Sequence, residues 1–423
     1  MDSNLLDQLD EPSKRALLEF KERVQDCTTK LWDTRDEYLL KWLVARHFSV
    51  TEAEKMLRTS LAWRQVNGVD EVLKWTPPEV LLKYFSLGKV GYDKVHCPVV
   101  ICAQGQMDLR GILQSVTRKD FFRYQTYTAE KLNKEMLEEY LQTGKNKDCL
   151  LTFISDMDHL SMRQMTYKPV METGIEQTKV YEAHYPENLR RIFIINGIIT
   201  GIKFCGINNS IVFMISLGPL APKLFTVIYN IMKPFLHQNT LDKLKIFGNN
   251  KEEWTAALLE EIEADNLPLY YGGTMVDPDG DPKCPSKFNM SGEVPYSYYL
   301  SNSAPVAKDY METMNLIAGA SGFKKLKYKV DVTNSILRWE FLTEGGDIGF
   351  RVYYKSAEEG TVDLVPLSRI ESHLVTEEGE FICANPGKYV VMFDNTFSIL
   401  RPKKLRYYIV VDPPVPASPT TTV

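Results

Sequence analysis

The chain has 423 residues, 44% hydrophobic and 25% charged, a globular composition long enough for two or three domains with sizeable cores. A formal net charge of −5 leaves no global basic field to attract phosphates, which argues against a general nucleic-acid binder and confines any anion contact to a local patch. The seven cysteines, Cys27, Cys97, Cys102, Cys149, Cys205, Cys284 and Cys383, are scattered without a C-x-x-C pair; they fit reduced thiols, and no metal site is expected.

The first residues, Met1-Asp-Ser-Asn, lack a signal peptide's basic and apolar blocks and the glycine that myristoylation needs, so a cytoplasmic location is expected. Residues 1–75 read as an all-α lobe. One charged amphipathic helix is predicted from Pro12 to Leu31 and a second from Asp36 to His47. A third opens at Thr51-Glu-Ala-Glu54, where threonine and glutamate three residues apart suggest a capping box.

From residue 76 to 275 strands and helices alternate. Pro98–Cys102, Leu150–Ser155, Arg191–Asn196 and Leu244–Gly248 read as short buried strands, and Phe121–Leu141 and Met171–Tyr185 as helices. Such alternation implies right-handed crossovers and a largely parallel sheet covered on both faces. Between the last two strands, Leu224, Phe225, Val227, Ile228, Ile231, Met232, Phe235 and Leu236 fall on one helical stripe, opposite Lys223, Thr226, Asn230 and Lys233. Periodicity alone leaves two readings open: a core helix, or a lid over an apolar cavity.

After Gly273 the composition changes. Met275-Val-Asp-Pro-Asp-Gly-Asp-Pro-Lys-Cys284 is a turn-rich connector. Strands at sandwich-like spacing follow at Leu326–Val332, Ile336–Phe341, Ile348–Lys355, Tyr389–Phe393 and Leu405–Val411, with turns at Gly345-Gly346, Asn385-Pro-Gly387 and Asp394-Asn395. Connector and antiparallel sandwich span 276–412, and the proline- and threonine-rich tail 413–423 is expected to be disordered.

The order His184-Tyr-Pro-Glu-Asn-Leu189, strand, Ala-Pro helix, Lys233-Pro-Phe-Leu236, Asn239-Thr240 and Leu267-Pro-Leu-Tyr-Tyr-Gly-Gly-Thr274 resembles the CRAL-TRIO lipid-transfer family. Tyr38–Arg46, Ala53–Leu57 and Trp63-Arg64 resemble the helical lobe that precedes that domain. Ile336–Phe341, Asp347–Phe350 and Gly387–Ser398 resemble the GOLD domain, and the connector is similar to that of the subgroup related to supernatant protein factor. The resemblance implies a non-enzymatic lipid-transfer protein whose ligand, in place of a cofactor, is a squalene-, tocopherol- or phosphoinositide-class lipid. That lipid would lie under a gate helix lined by Leu224, Phe225, Val227, Ile228, Ile231 and Met232. A transient membrane surface and a protein partner of the GOLD domain are the other implied contacts; the alternative reading is a membrane-trafficking adaptor that senses the lipid.

Family members that hold phosphatidylinositol imply a headgroup site at Glu187, Thr240, Lys243, Arg46 and His47, the last replacing an expected lysine. Arg401, Lys403, Lys404 and Arg406 form a local basic cluster suited to an anionic membrane. One stretch departs from the family: Gly197 to Leu220 is an apolar insertion. Lys203, Asn208, Asn209 and several glycines argue against a membrane span, leaving a passive loop or retained intron, or a lipid-touching loop.

Two other constellations read as turns. Ser155-Asp-Met-Asp-His-Leu-Ser161 gathers an acid, an imidazole and a hydroxyl without a G-x-S-x-G elbow. Asp277, Asp279 and Asp281 alternate like calcium ligands, but no glutamate closes the loop.

Overall fold

The computed structural model describes residues 9–161, 164, 167–197, 233–290, 292–300, 305–355 and 360–414. The chain divides into two compact units: Met1–Leu113 with Asp120–Pro295, and Gln114–Lys119 with Tyr296–Val423. The stripe Leu224, Phe225, Val227, Ile228, Ile231 and Met232 lies outside the described residues, as does the insertion from residue 198 onward.

The first unit opens with α1 (Glu11–Arg23), α2 (Asp36–Val44) and α3 (Val50–Val66). Asp10 caps α1, its carboxylate accepting from the Ser13 N–H at 2.9 Å, and Pro12 sits in the first turn, where no amide hydrogen is needed. The expected continuous helix to Leu31 stops at Arg23 and passes into a 3₁₀ turn over Gln25–Lys30. The capping box is also corrected. Helix α3 begins at Val50 behind Ser49, which places Thr51 and Glu54 inside the helix. Thr51 accepts from Arg23 at 3.2 Å, and Glu54 pairs with Arg58 at 2.9 Å. Apolar stripes of the three helices meet in a core built on Phe20, Leu40, Trp42, Leu43 and Leu57.

The α/β part follows as α4 (Glu79–Tyr84), β1 (Gly88–Tyr92), β2 (Pro98–Cys102), α5 (Leu109–Ser115), α6 (Arg118–Thr143), β3 (Leu151–Asp156), α7 (Lys168–His184), β4 (Leu189–Ile195), α8 (Gln238–Asp242), β5 (Leu244–Ile246) and α9 (Lys251–Glu261). The sheet runs β1-β2-β3-β4-β5, with β1 antiparallel to β2 and the other pairs parallel. Strand alternation gives it two faces. On one, Val99, Ile101, Ile154, Phe193 and Ile195 pack against Trp254 and Leu258 of α9 and against Ile262, Leu267, Tyr271 and Phe288, none more than 3% exposed.

Phe288 shows that the connector belongs to this unit. Cys284 and Val294 are buried with it, the Tyr270 N–H donates to the Pro282 carbonyl at 2.9 Å, and Asp277 accepts from the Ser286 amide and hydroxyl. The turn-rich composition of 276–295 concealed these few apolar anchors.

The second unit holds β6 (Glu312–Leu316), β7 (Phe323–Val330), β8 (Ser335–Glu344), β9 (Ile348–Lys355), β10 (Thr361–Ile370), β11 (Glu377–Cys383), β12 (Gly387–Asp394) and β13 (Lys403–Asp412). They form two four-stranded antiparallel sheets, β10-β9-β12-β7 and β11-β8-β13-β6. Alternate residues from both, among them Leu337, Phe341, Phe350, Val391, Phe393 and Leu405, interleave in one core. Gly345 and Gly346 turn β8 into β9 with φ of 89° and 77°, a left-handed pair that costs glycine nothing.

Candidate functional site

The second face of the first unit's sheet differs from the first. Register places Phe153 beside Ile192, and Ile192 and Ile194 beside Leu244 and Ile246. Phe153, Ile192 and Ile194 stand in interior strands, Leu244 and Ile246 on the edge strand β5, and all five are only half-buried. On the same face Val100, Cys102 and Leu151 are buried, so among the described residues the half-buried side chains are Phe153 and those on the β4–β5 side. Helix α6 covers the end of this face, where Phe153, Leu137 and Tyr140 pack against the cluster of Met136, Cys149 and Leu151.

Tyr181 lies on α7. The residue is 36% exposed. Yet burial pushes its hydroxyl up to about 12, among Gln177 of α7, Thr128 of α6 and Cys102 of β2. Sequence reading passed over Tyr181; its only signal was the helical spacing to Tyr185.

The polar cluster lies where β4 and β5 begin. Parallel pairing sets their preceding turns side by side, which brings Glu187 to Lys243 at 2.5 Å. Glu187 has φ of 54° and also accepts from the Asn239 side chain at 2.9 Å. Thr240 donates to Glu182 at 2.8 Å, and His237 stands 3.5 Å from the same carboxylate. Asn239 reaches the Val44 carbonyl at 3.5 Å, linking the cluster to the end of α2. Arg46 and His47 follow in that turn: Arg46 donates to the Ala45 carbonyl at 2.8 Å, and His47 is exposed with φ of 49°. The predicted headgroup residues are therefore gathered at one end of the sheet. Within it, Lys243 and Thr240 are already engaged by carboxylates. Glu182 was missed because a glutamate on a helix reads as a solvated face.

Buried links hold this turn to the helical lobe. Lys41 donates to the Cys149 carbonyl at 3.0 Å and to Asn188 at 2.8 Å, and burial pulls its ammonium down to about 8. Arg64 pairs with Glu130 at 2.8 Å and Asp70 at 2.6 Å, while the Tyr185 hydroxyl donates to Glu130 at 2.8 Å. His184 stacks on Trp63 with ring centroids 4.0 Å apart, and burial, aided by the Arg64 charge, pushes its imidazole down to about 4.

The residues that hinted at catalysis are otherwise occupied. Ser155 donates to Gln104, His159 lies 3.4 Å from Asp158, and Asp156 accepts from Asn196 and Tyr271. Among the described residues no metal-ligand cluster occurs, and no helix is long and apolar enough to cross a membrane.

The basic cluster of the second unit is divided between faces. Lys403 is buried, 3.9 Å from Asp347. Lys404 and Arg406 share Glu344 at 2.9 and 3.4 Å, and Arg401 is exposed. The four charges do not form a single patch.

Among the described residues, one face of the sheet is close-packed and the other leaves Phe153, Ile192, Ile194, Leu244 and Ile246 half-buried. Residues 82–197 and 220–273 match the model of the CRAL/TRIO domain, and the match is interrupted across the insertion. The chain is 28% identical to Protein ctg-1 of Caenorhabditis elegans over 385 residues, 89% of this chain and 91% of that protein. It is also similar to the crystal structure of Sfh5, at 16% identity and a TM-score of 0.43, over 67% of this chain and 92% of that one.

Proposed function

We propose that this protein binds a hydrophobic lipid against the loosely packed sheet face and exchanges it at membranes without catalysing a reaction on it. The observation that carries this reading is the half-buried state of Phe153, Ile192, Ile194, Leu244 and Ile246 within the strands of a CRAL/TRIO domain. An alkyl or isoprenoid chain laid there gains about 0.8 kcal/mol per buried methylene, so affinity needs no charged anchor. The gate is assigned to Leu224, Phe225, Val227, Ile228, Ile231 and Met232, whose apolar stripe suits a helix lying over such a chain.

The prior engagement of Lys243 by Glu187 and of Thr240 by Glu182 favours an apolar ligand of the squalene or tocopherol class over a phosphoinositide. A phosphate would have to displace those carboxylates. The second unit is assigned to the GOLD class on its sandwich topology and the strand motifs, within the subgroup related to supernatant protein factor, and acts at a cytoplasmic membrane face. Extraction of the purified protein with organic solvent, followed by mass spectrometry, is expected to yield a hydrophobic lipid near one per chain. A lipid-free protein that also takes up none from vesicles overturns the proposal.

A further inference from the structure

The end of the sandwich where β6 passes into β7 and β12 into β13 carries an unusual surface. The pairings Leu316 with Lys403 and Phe323 with Asp394 set these two connections side by side. At the apex of the second, Ile399 and Leu400 are 88% and 86% exposed. Ile317 and Phe323 are exposed beside them, and Phe397 lies under the Arg369 guanidinium at 4.2 Å. Two adjacent aliphatic side chains almost wholly in water are costly for a segment that could turn them inward.

This segment is held so that it does not. Asn395 is fully buried, and its amide donates to the carbonyls of Ile317 and Arg401, both at 3.0 Å, and of Leu316 at 3.4 Å. Its backbone N–H donates to the Gly322 carbonyl, its side-chain oxygen accepts from the Ser398 hydroxyl at 2.6 Å, and the Gly319 N–H donates to the Ser398 carbonyl at 2.9 Å. One buried side chain thus clamps both connections and presents Ile399 and Leu400 outward.

Charge surrounds the apex. Arg401 adjoins it, and Lys324 and Lys325 stand at the start of β7, with Lys325 5.1 Å from the Phe323 ring; all three cations are exposed. Register carries the cations onward along the outer face of the same sheet, where Lys327 lies opposite Val390 and Lys329 opposite Lys388, which in turn opposes Lys355. Arg351 on that face is paired with Asp363, Lys329 with Asp331, and Asp394 binds the Thr396 N–H. The outer face of the other sheet is the internal comparison. There Arg338 pairs with Glu380 and Asp412, Lys308 with Glu340, and Lys404 and Arg406 with Glu344. Among the described residues, the cations of the second sheet's outer face are paired, whereas the first carries more cations than ion pairs.

We propose that the connection Thr396–Pro402 is a membrane-docking tip: Ile399 and Leu400 enter the interfacial region of an anionic leaflet while Arg401, Lys324 and Lys325 meet its headgroups. The tip extends the lipid-exchange reading but does not depend on it, because it lies in the second unit and needs no bound ligand. The full-length protein is tested by sedimentation with phosphatidylcholine vesicles containing 30% phosphatidylserine or none. Wild type is expected to bind the anionic vesicles, and Ile399→Ser/Leu400→Ser to lower the partition coefficient at least tenfold at every salt concentration. Arg401→Gln/Lys325→Gln is expected to remove most of the salt dependence, whereas Lys404→Gln/Arg406→Gln leaves binding unchanged. Lipid content, measured by extraction on the same preparations, is expected to match wild type, which separates this inference from the lipid-binding one. Absence of wild-type binding to bare vesicles, as for a tip that recognises a protein, overturns the proposal. Undiminished binding by Ile399→Ser/Leu400→Ser also overturns it.

Discussion

Arg64 and Glu130 show how a buried charge pair can set the position of a site. Both are less than a tenth exposed, and Tyr185 is fixed through the same carboxylate, two residues before Glu187. Removing Glu130 leaves the buried Arg64 with only the exposed Asp70 carboxylate, which costs about 3 kcal/mol, whereas replacing both with apolar groups of similar volume costs far less. Glu130→Leu is therefore expected to lower the urea midpoint strongly, and Arg64→Met/Glu130→Leu to recover much of the loss. His184 adds a pH dependence. Its folded-state value, about 4, is below the ordinary 6.5, so the unfolded chain binds the proton first. The stability that neutral His184 contributes is present above about pH 6.5 and is lost as pH falls toward about 4. His184→Gln should lose about 1 kcal/mol less than wild type between pH 7 and pH 5, read from urea unfolding at both.

At the level of elements, the sheet's two faces make opposite demands on the same residue types. Phe193→Ala, on the close-packed face, is expected to cost about 3–5 kcal/mol because its neighbours leave a cavity. Ile194→Ala, one residue along and on the loosely packed face, should cost under about 2 kcal/mol but alter the amount of lipid recovered by extraction. Equal losses of stability for the two would remove the asymmetry on which the functional reading rests. The reason some elements were legible in sequence and others were not is also local. β7 alternates apolar and polar residues, and β8, β9, β12 and β13 carry β-branched and aromatic residues between turn residues, so all five could be located within a few positions. β1 holds two glycines because the backbone passes close by: a side-chain carbon at Gly91 would meet the Asn266 carbonyl at 2.6 Å. β10 contains Pro366 and two register shifts, and β11 is an edge strand rich in glutamate, so neither shows a strand period. Glu187 and Lys243 were found only through the order of motifs. Nothing in composition pairs residues 56 positions apart, and it is parallel strand pairing that does so.

For the whole molecule the question is where one folding unit stops. Composition places the break after Met275, at the first of the alternating aspartates. Packing places it after Pro295, because Phe288, Cys284 and Val294 are buried in the first unit and the Ser86 hydroxyl donates to the Asn289 carbonyl. A chain ending at 275 thus strips a fully desolvated aromatic from the cluster that contains Val90 and Tyr271, on the tightly packed side of the sheet. Loss of Phe288 alone is worth about 3–5 kcal/mol, a large fraction of the 5–15 kcal/mol that holds an ordinary domain together. A chain of residues 1–295 should unfold cooperatively and retain extractable lipid. A chain of residues 1–275 should be several kcal/mol less stable or insoluble, although it keeps every residue of the sheet and of the polar cluster. Chemical denaturation and lipid extraction on the two truncations provide the measurement. Equal stability would show that the connector merely lies against a domain already complete without it.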